Sequence, residues 1–403
     1  MNDKNLYLTA EEAARQLRVS VATLYAYVSR KRVRSETIDG SRKRRYWKAD
    51  IDRLSGKLTD TDLLAPQTPL ATHSKITLIT EGGLYFRGHD AIAMSERSTI
   101  ESVAALLWQI DESALFSVPP PAAPDTWLHF QTNLEGMTTR ECAFALLPML
   151  ERTNPRSYDL SPQGFARTGA DALRWYAALV GKVNKPTAQP LHQFLAKALK
   201  APAGFGEIIR RLLVLSADHE FDAITYAVRA VANVGVTPYQ AITTGLIASQ
   251  GQRIFAERFG AVSRLLQEIL SSNDGSIPIV QRLRNGESLP GFNISVDRPD
   301  PRTTAIMGAL RERLHGDRIF QRLITAEATA RDASRKSMEF IVPAVFIGNR
   351  LGMHGEELGI SSVGRVVGWI AHAMEQFHEN ELIRTHSTYV GPLPKQESPN
   401  MKP

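Results

Sequence analysis

The stretch VGRVVGWIAHAMEQF, residues 363–377, decides the fold class. Its apolar residues recur with the helical period rather than alternating. The same period runs through STIESVAALLWQ, DALRWYAALV, LHQFLAKALK, FGEIIRRLLVLSA and FDAITYAVRAVA upstream of it. It continues in AVSRLLQEIL and TTAIMGALRERL. Thr237 before Pro238 reads as an N-cap and first-turn proline for a helix running toward Gly251. One short β-like stretch, ITLITEGGLYF at residues 76–86, has Gly82-Gly83 as its expected turn. The expectation is a mainly α body of enzyme size.

The 403 residues leave room for two or three domains. Hydrophobic residues at 43% and charged residues at 22% exclude a mainly disordered chain. No apolar run reaches the roughly 20 residues of a membrane helix, and MNDKNLYLTA lacks the apolar core of a signal peptide. A cytoplasmic protein without a membrane partner is expected. The single cysteine, Cys142, reads as core filler and excludes a disulfide framework or a multi-cysteine metal site.

The charge is unevenly placed. Residues 1–54 hold 13 Lys/Arg against 7 Asp/Glu, and the rest of the chain is balanced. Thr9 and Glu12 form an expected capping box for a first helix. Ser20 can cap a second helix whose apolar face is Val21, Leu24, Tyr25 and Val28. A turn at Asp39-Gly40 then leads to Arg42, Lys43, Arg44 and Arg45. The pattern resembles the winged helix-turn-helix of MerR-type regulators and phage excisionases. That resemblance implies a head at 1–54 whose wing cations Arg42, Lys43, Arg44 and Arg45 lie along phosphates, with Thr23 and Tyr27 near bases. Residues 55–75 read as a linker.

The body carries a second resemblance. Leu84-Tyr85-Phe86-Arg87-Gly88-His89-Asp90 with Ala104-Ala105-Leu106-Leu107-Trp108, then Ala217-Asp218-His219-Glu220, then Pro290-Gly291-Phe292 with Asp300-Pro301-Arg302 follow one another. Gly364 to His372 with Glu375-Gln376, and Ile383-Arg384 with Tyr389-Val390-Gly391-Pro392, close the series. In this order the motifs resemble citrate synthases. The resemblance implies a large domain at 76–250 and 351–403, a small domain at 251–350, and a dimer with itself or with another citrate-synthase-like chain. It implies condensation of an acyl-CoA with oxaloacetate, the acyltransferase step that opens the tricarboxylic acid cycle. Acyl-CoA is then a co-substrate, with no bound cofactor and no metal. Arg302, Arg365 and Arg384 would clamp the dicarboxylate, and His219 would hydrogen-bond the oxo-acid. The bland alternative for each arginine is a structural ion pair or helix cap.

Two catalytic histidines of that family are missing. The first falls on Ile254 in Gly251-Gln252-Arg253-Ile254, and the second on Ile294 in Gly291-Phe292-Asn293-Ile294. No histidine occurs between Glu220 and Leu314. Isoleucine neither donates nor accepts a proton. The carboxylate base appears as Glu339, in Ser337-Met338-Glu339-Phe340, in place of aspartate. Losing an acid and an oxyanion donor costs on the order of 10⁴–10⁷ in rate if the losses add. Phe255 and Ala256 also replace glycines, which tells against close approach of CoA. The expectation is weak or partner-dependent condensation over a retained dicarboxylate pocket. The alternatives are a DNA-binding regulator sensing oxaloacetate or citrate, and a subunit that completes a partner's site.

Overall fold

The structure is a computed structural model. It describes residues 7–29, 33–37, 43–55, 73–125, 127, 136–253, 255–379 and 383. Among them, the N-terminal unit runs β1 (Tyr7–Leu8), α1 (Ala10–Leu17), α2 (Val21–Ser29), β2 (Ser35–Thr37), β3 (Arg44–Trp47) and α3 (Lys48–Leu54). The Thr9–Glu12 capping box forms, and Arg18 at φ 55° closes α1 in the left-handed region. Ser20 Oγ accepts the Thr23 N–H at 3.1 Å, so α2 starts where its cap residue stands. The three strands pair antiparallel in the order β1-β3-β2. The Asp39-Gly40 turn and Arg42 lie outside the described residues.

Ala13, Ala14, Leu24, Val33, Tyr46 and Ile51 form the core of this unit, separate from the core of the body. One expectation is corrected here. Tyr25 is 54% exposed, while Tyr27 packs against the small core. Tyr27 sits three residues from buried Leu24 and shares its face, while half-exposed Tyr25 meets the core at its edge through a hydrogen bond with Tyr46.

The body opens with β4 (Thr77–Thr80), β5 (Gly83–Phe86) and β6 (His89–Asp90), an antiparallel meander. Gly83 pairs with Thr80, so the turn is Glu81-Gly82, one residue earlier than expected. Helices follow: α4 (Ala91–Arg97), α5 (Ile100–Trp108), α6 (Glu112–Phe116), α7 (Thr139–Thr153), α8 (Pro162–Val180), α9 (Leu191–Ala198), α10 (Phe205–Leu215), α11 (Ala223–Ala232) and α12 (Pro238–Ser249). A π-helical turn, Phe255–Phe259, leads into α13 (Gly260–Ser271), α14 (Ser276–Arg284) and β7 (Ile294–Ser295). The chain closes through α15 (Pro301–Leu314), α16 (Arg318–Ser334), β8 (Lys336–Ser337), α17 (Ile341–Arg350) and α18 (Gly359–His378).

Helix α18, which contains residues 363–377, is the axis of the body. It packs against α5, α8, α10, α11 and α12, and it buries residues on every side, from Ile360 to Gln376. Such a helix is held by its surroundings rather than by one amphipathic face. Trp108 Nε1 donates to the Val367 carbonyl at 2.9 Å, which fixes α5 against it. Further along the chain, α13, α14 and α16 pack on one another, with α17 beside α13. The short β7–β8 ribbon pairs Ile294 with Ser337. Among the described residues, no helix is long and apolar enough to cross a membrane.

The two cores are separate, and the exposed Lys48–Glu81 pair at 3.4 Å joins the two units. An exposed pair of this kind contributes about 0–1 kcal/mol. Deleting residues 1–55 should therefore leave the helical circular-dichroism signal intact and move the melting temperature by no more than roughly 2–4 °C. Aggregation or loss of the cooperative transition would show instead that the body depends on the N-terminal unit.

Candidate functional site

After α10 ends, residues 216–220 cross directly over α18. A Cβ on Gly368 would lie 2.2 Å from the Ala217 carbonyl oxygen and 2.6 Å from Asp218 Oδ1, so only glycine permits the crossing. The approach seats Asp218, fully buried, among four donors. Arg365 Nη1 donates at 2.9 Å, Thr77 Oγ1 at 2.5 Å and the Glu220 N–H at 3.1 Å. His372 Nε2 lies 3.2 Å away. Burial alone would raise this carboxyl's pKa. The His372 ring and the Arg365 guanidinium, helped by hydrogen bonds from His372 and Thr77, outweigh it and hold Asp218 ionised, below the usual carboxylate range.

The network extends inward. Arg229, itself buried, donates to Glu375 at 2.7 Å and to Gln376 at 3.0 Å, and its Nη1 lies 3.3 Å from His372 Nδ1. Arg365 also donates to Asp222 at 3.0 Å and to Thr225 at 2.8 Å.

His219 follows Asp218, and Glu220 then takes φ 57°, a left-handed conformation that costs a non-glycine residue roughly 1–2 kcal/mol. The turn brings His219 within the electrostatic reach of Arg302 and Arg365. His219 is exposed at its surface, and crowding around the ring, followed by the Arg302 and Arg365 cations, pushes its pKa down against Asp300 and Asp218. At neutral pH His219 is an uncharged donor and acceptor. Arg302, in the first turn of α15, is gripped by its own N-cap: Asp300 accepts from Arg302 Nε at 3.1 Å and from Nη2 at 2.7 Å. Its Cζ lies 4.6 Å from the Phe340 ring centroid. The described bonds of Arg302 use Nε and Nη2, so Nη1 has no partner among the described residues. Both arginines are therefore structural ion pairs in this fold. Arg384 and Ile254 lie outside the described residues, as do the side chains of Phe255 and Ala256.

Glu339 stands beside Phe340 and is 8% exposed. Its N–H donates to the Gly291 carbonyl at 2.8 Å. Gly291 has φ +81°, and a Cβ there would meet Val342 at 2.5 Å. Asn293 Nδ2 donates to Glu339 Oε1 at 2.7 Å, and Arg258 Nη2 bonds Oε2. Ile294 occupies β7 and offers an aliphatic side chain. The sequence reading missed Arg258, Asn293 and the Asp218–His372 contact. Asn293 directly precedes the substituted histidine position, which was the available signal; nothing local marks Arg258.

In the N-terminal unit, Lys43 and Arg44 are exposed on the β3 side. Arg45 pairs with Glu36 and lies 4.1 Å from the Tyr7 ring centroid. Thr23 shares its hydroxyl with Ser20 at 2.9 Å.

The family model described as "Citrate synthase, C-terminal domain" matches residues 67–386. A 2-methylcitrate synthase of Shewanella oneidensis is 25% identical over 362 residues, covering 80% of this chain and 92% of that protein. Citrate synthase 2 of Bacillus subtilis is 25% identical over 359 residues, covering 80% and 94%. The solved citrate synthase of Thermotoga maritima superposes with a TM-score of 0.66 at 19% identity, covering 83% of this chain and 96% of that one. That of Thermoplasma acidophilum, described as a ternary complex with carboxymethyl coenzyme A and oxaloacetate, gives 0.63 at 17% identity, covering 84% and 98%.

Asp218→Asn removes the fully buried one of the two carboxylates that pair with Arg365. Breaking a buried pair on one side costs about 3–5 kcal/mol, so the urea midpoint should fall with little change in slope. An unchanged midpoint would show that Asp218 is not the anchor of this region.

Proposed function

The chain belongs to the citrate synthase family, and from that premise we propose that its body binds an oxaloacetate-type dicarboxylate while condensing it with an acyl-CoA only slowly. The observation that supports this reading is that Arg302 and Arg365, each gripped by a carboxylate, both act on the ring of His219. Planar guanidiniums suit paired carboxylates, and a neutral imidazole can donate to the keto oxygen without adding charge. Glu339, next to the Phe340 ring on which Arg302 lies, keeps a carboxylate in the place of the base, but Ile294 supplies no acid where the family has one. The binding half of the chemistry is thus better furnished than the proton-transfer half. Arg384 is proposed as the clamp residue delivered to the site of a second citrate-synthase-like chain, in a homodimer or a heterodimer.

A second reading is favoured by the N-terminal unit. Two helices joined by a tight turn, followed by an antiparallel hairpin whose strand β3 begins with Arg44 and Arg45, support a winged helix-turn-helix that binds DNA. With Tyr27 against the core, exposed Tyr25 is the α2 aromatic placed to meet a groove. In this reading the body is the sensor, and the dicarboxylate is its signal. Salt-dependent duplex binding that survives in the isolated N-terminal unit would support it.

Oxaloacetate should raise the melting temperature of the full chain by mass action, and Arg302→Ala or Arg365→Ala should erase that shift. Equal shifts in wild type and both variants would overturn the pocket. With acetyl-CoA and oxaloacetate together, CoA release should stay at least a hundredfold below the roughly 10 s⁻¹ median of enzymes. Turnover within tenfold of that median would refute the slow-condensation half of the reading.

A further inference from the structure

Both segments that lack the expected histidine deliver a different donor to the same carboxylate. Asn293, immediately before Ile294, binds Glu339 Oε1 at 2.7 Å. Arg258, four residues beyond position 254, binds Oε2. It is carried on the π-helical turn Phe255–Phe259, where the Glu257 N–H reaches the Gln252 carbonyl at 3.0 Å. Segments of this kind recur at functional sites. The Glu339 side chain is 11% exposed and that of Arg258 is 62% exposed, so the guanidinium covers Oε2 from the open side. Oε1 is pinned by an amide, and the backbone is pinned to Gly291. Oε2 and the exposed guanidinium bonded to it together form the side of Glu339 that solvent reaches.

We propose that Arg258 donates to the enolate oxygen of an acyl thioester while Glu339 Oε2 removes its α-proton, with Asn293 positioning the carboxylate through Oε1. The proposal rests on the reading that the cleft takes an acyl-CoA. The C–H bond next to the thioester carbonyl breaks, and its proton goes to Oε2. The electron pair becomes the new C=C bond, and the carbonyl π pair moves onto oxygen, where Arg258 donates to it. Nothing is oxidised or reduced. Negative charge passes from the carboxylate to the enolate without leaving the field of one guanidinium, so net charge at the site is constant throughout. Returning the proton from Glu339 restores the thioester. The chain then exchanges α-protons with solvent faster than it completes condensation, because the position of the second acid is Ile294.

The experiment incubates the full-length chain with acetyl-CoA in D₂O, with and without malate as an unreactive dicarboxylate, and follows deuterium in the acetyl group by mass spectrometry. Wild type should accumulate deuterium above the enzyme-free rate and faster than it releases CoA when oxaloacetate is added. Arg258→Ala should slow exchange by about 10²-fold with the melting temperature and its oxaloacetate shift unchanged. Arg258→Lys should restore part of the rate, and Glu339→Gln should stop exchange. Asn293→Ala should slow exchange, and Asn293→Gln should restore part of it, with the melting temperature unchanged. Exchange in Arg258→Ala equal to wild type overturns the proposal. Absence of exchange in wild type, with the oxaloacetate shift still present, overturns it and leaves the dicarboxylate pocket standing. The same absence with the shift also gone overturns both.

Discussion

Asp218 is the constraint on which the site depends. A carboxylate with no solvent exposure survives only when every lone pair is used and its charge is balanced. Here one side chain ties the first body strand through Thr77, the turn after α10 through Glu220, and the central helix through Arg365 and His372. The contact exists because Gly368 lets two backbones approach. The same turn carries Asp218 and His219, and the same helix carries His372 and Arg365. One buried group therefore ties together the elements that carry these residues.

The site residues divide by the company they keep. Arg302 and Arg365 are gripped by Asp300, Asp218 and Asp222, which fixes their orientation. A cation fixed in this way has little rotamer freedom left to lose. Glu339 is held by Arg258 and Asn293. The pairing changes what the carboxylate can do: its partner is a permanent cation rather than a group that gives up a proton near neutrality.

Much of this was legible in the chain. Residues 363–377 read as a helix because their period is unambiguous, and the Thr9, Ser20 and Thr237 caps fell where short polar side chains can reach the third N–H. The meander turn was misplaced by one residue because both Gly82 and Gly83 suit a turn, and only cross-strand pairing chooses between them. Tyr25 and Tyr27 were exchanged between faces for a similar reason: both are aromatic, and the phase of α2 is set by Leu24 packing on Ala13 and Ala14. The arginines and His219 were found through motifs, whereas Arg258 was not. Its contact with Glu339 spans 81 positions and leaves no local trace.

The direct test of the central claim is a double-mutant cycle between Asp218 and Arg365, read as oxaloacetate affinity by isothermal titration calorimetry on the full-length chain. If Asp218 acts on the ligand by holding Arg365, Asp218→Asn should weaken binding in the wild-type background. In the Arg365→Ala background it should cost nothing further, so the two losses do not add. Strictly additive losses would contradict the account and assign the two residues independent roles.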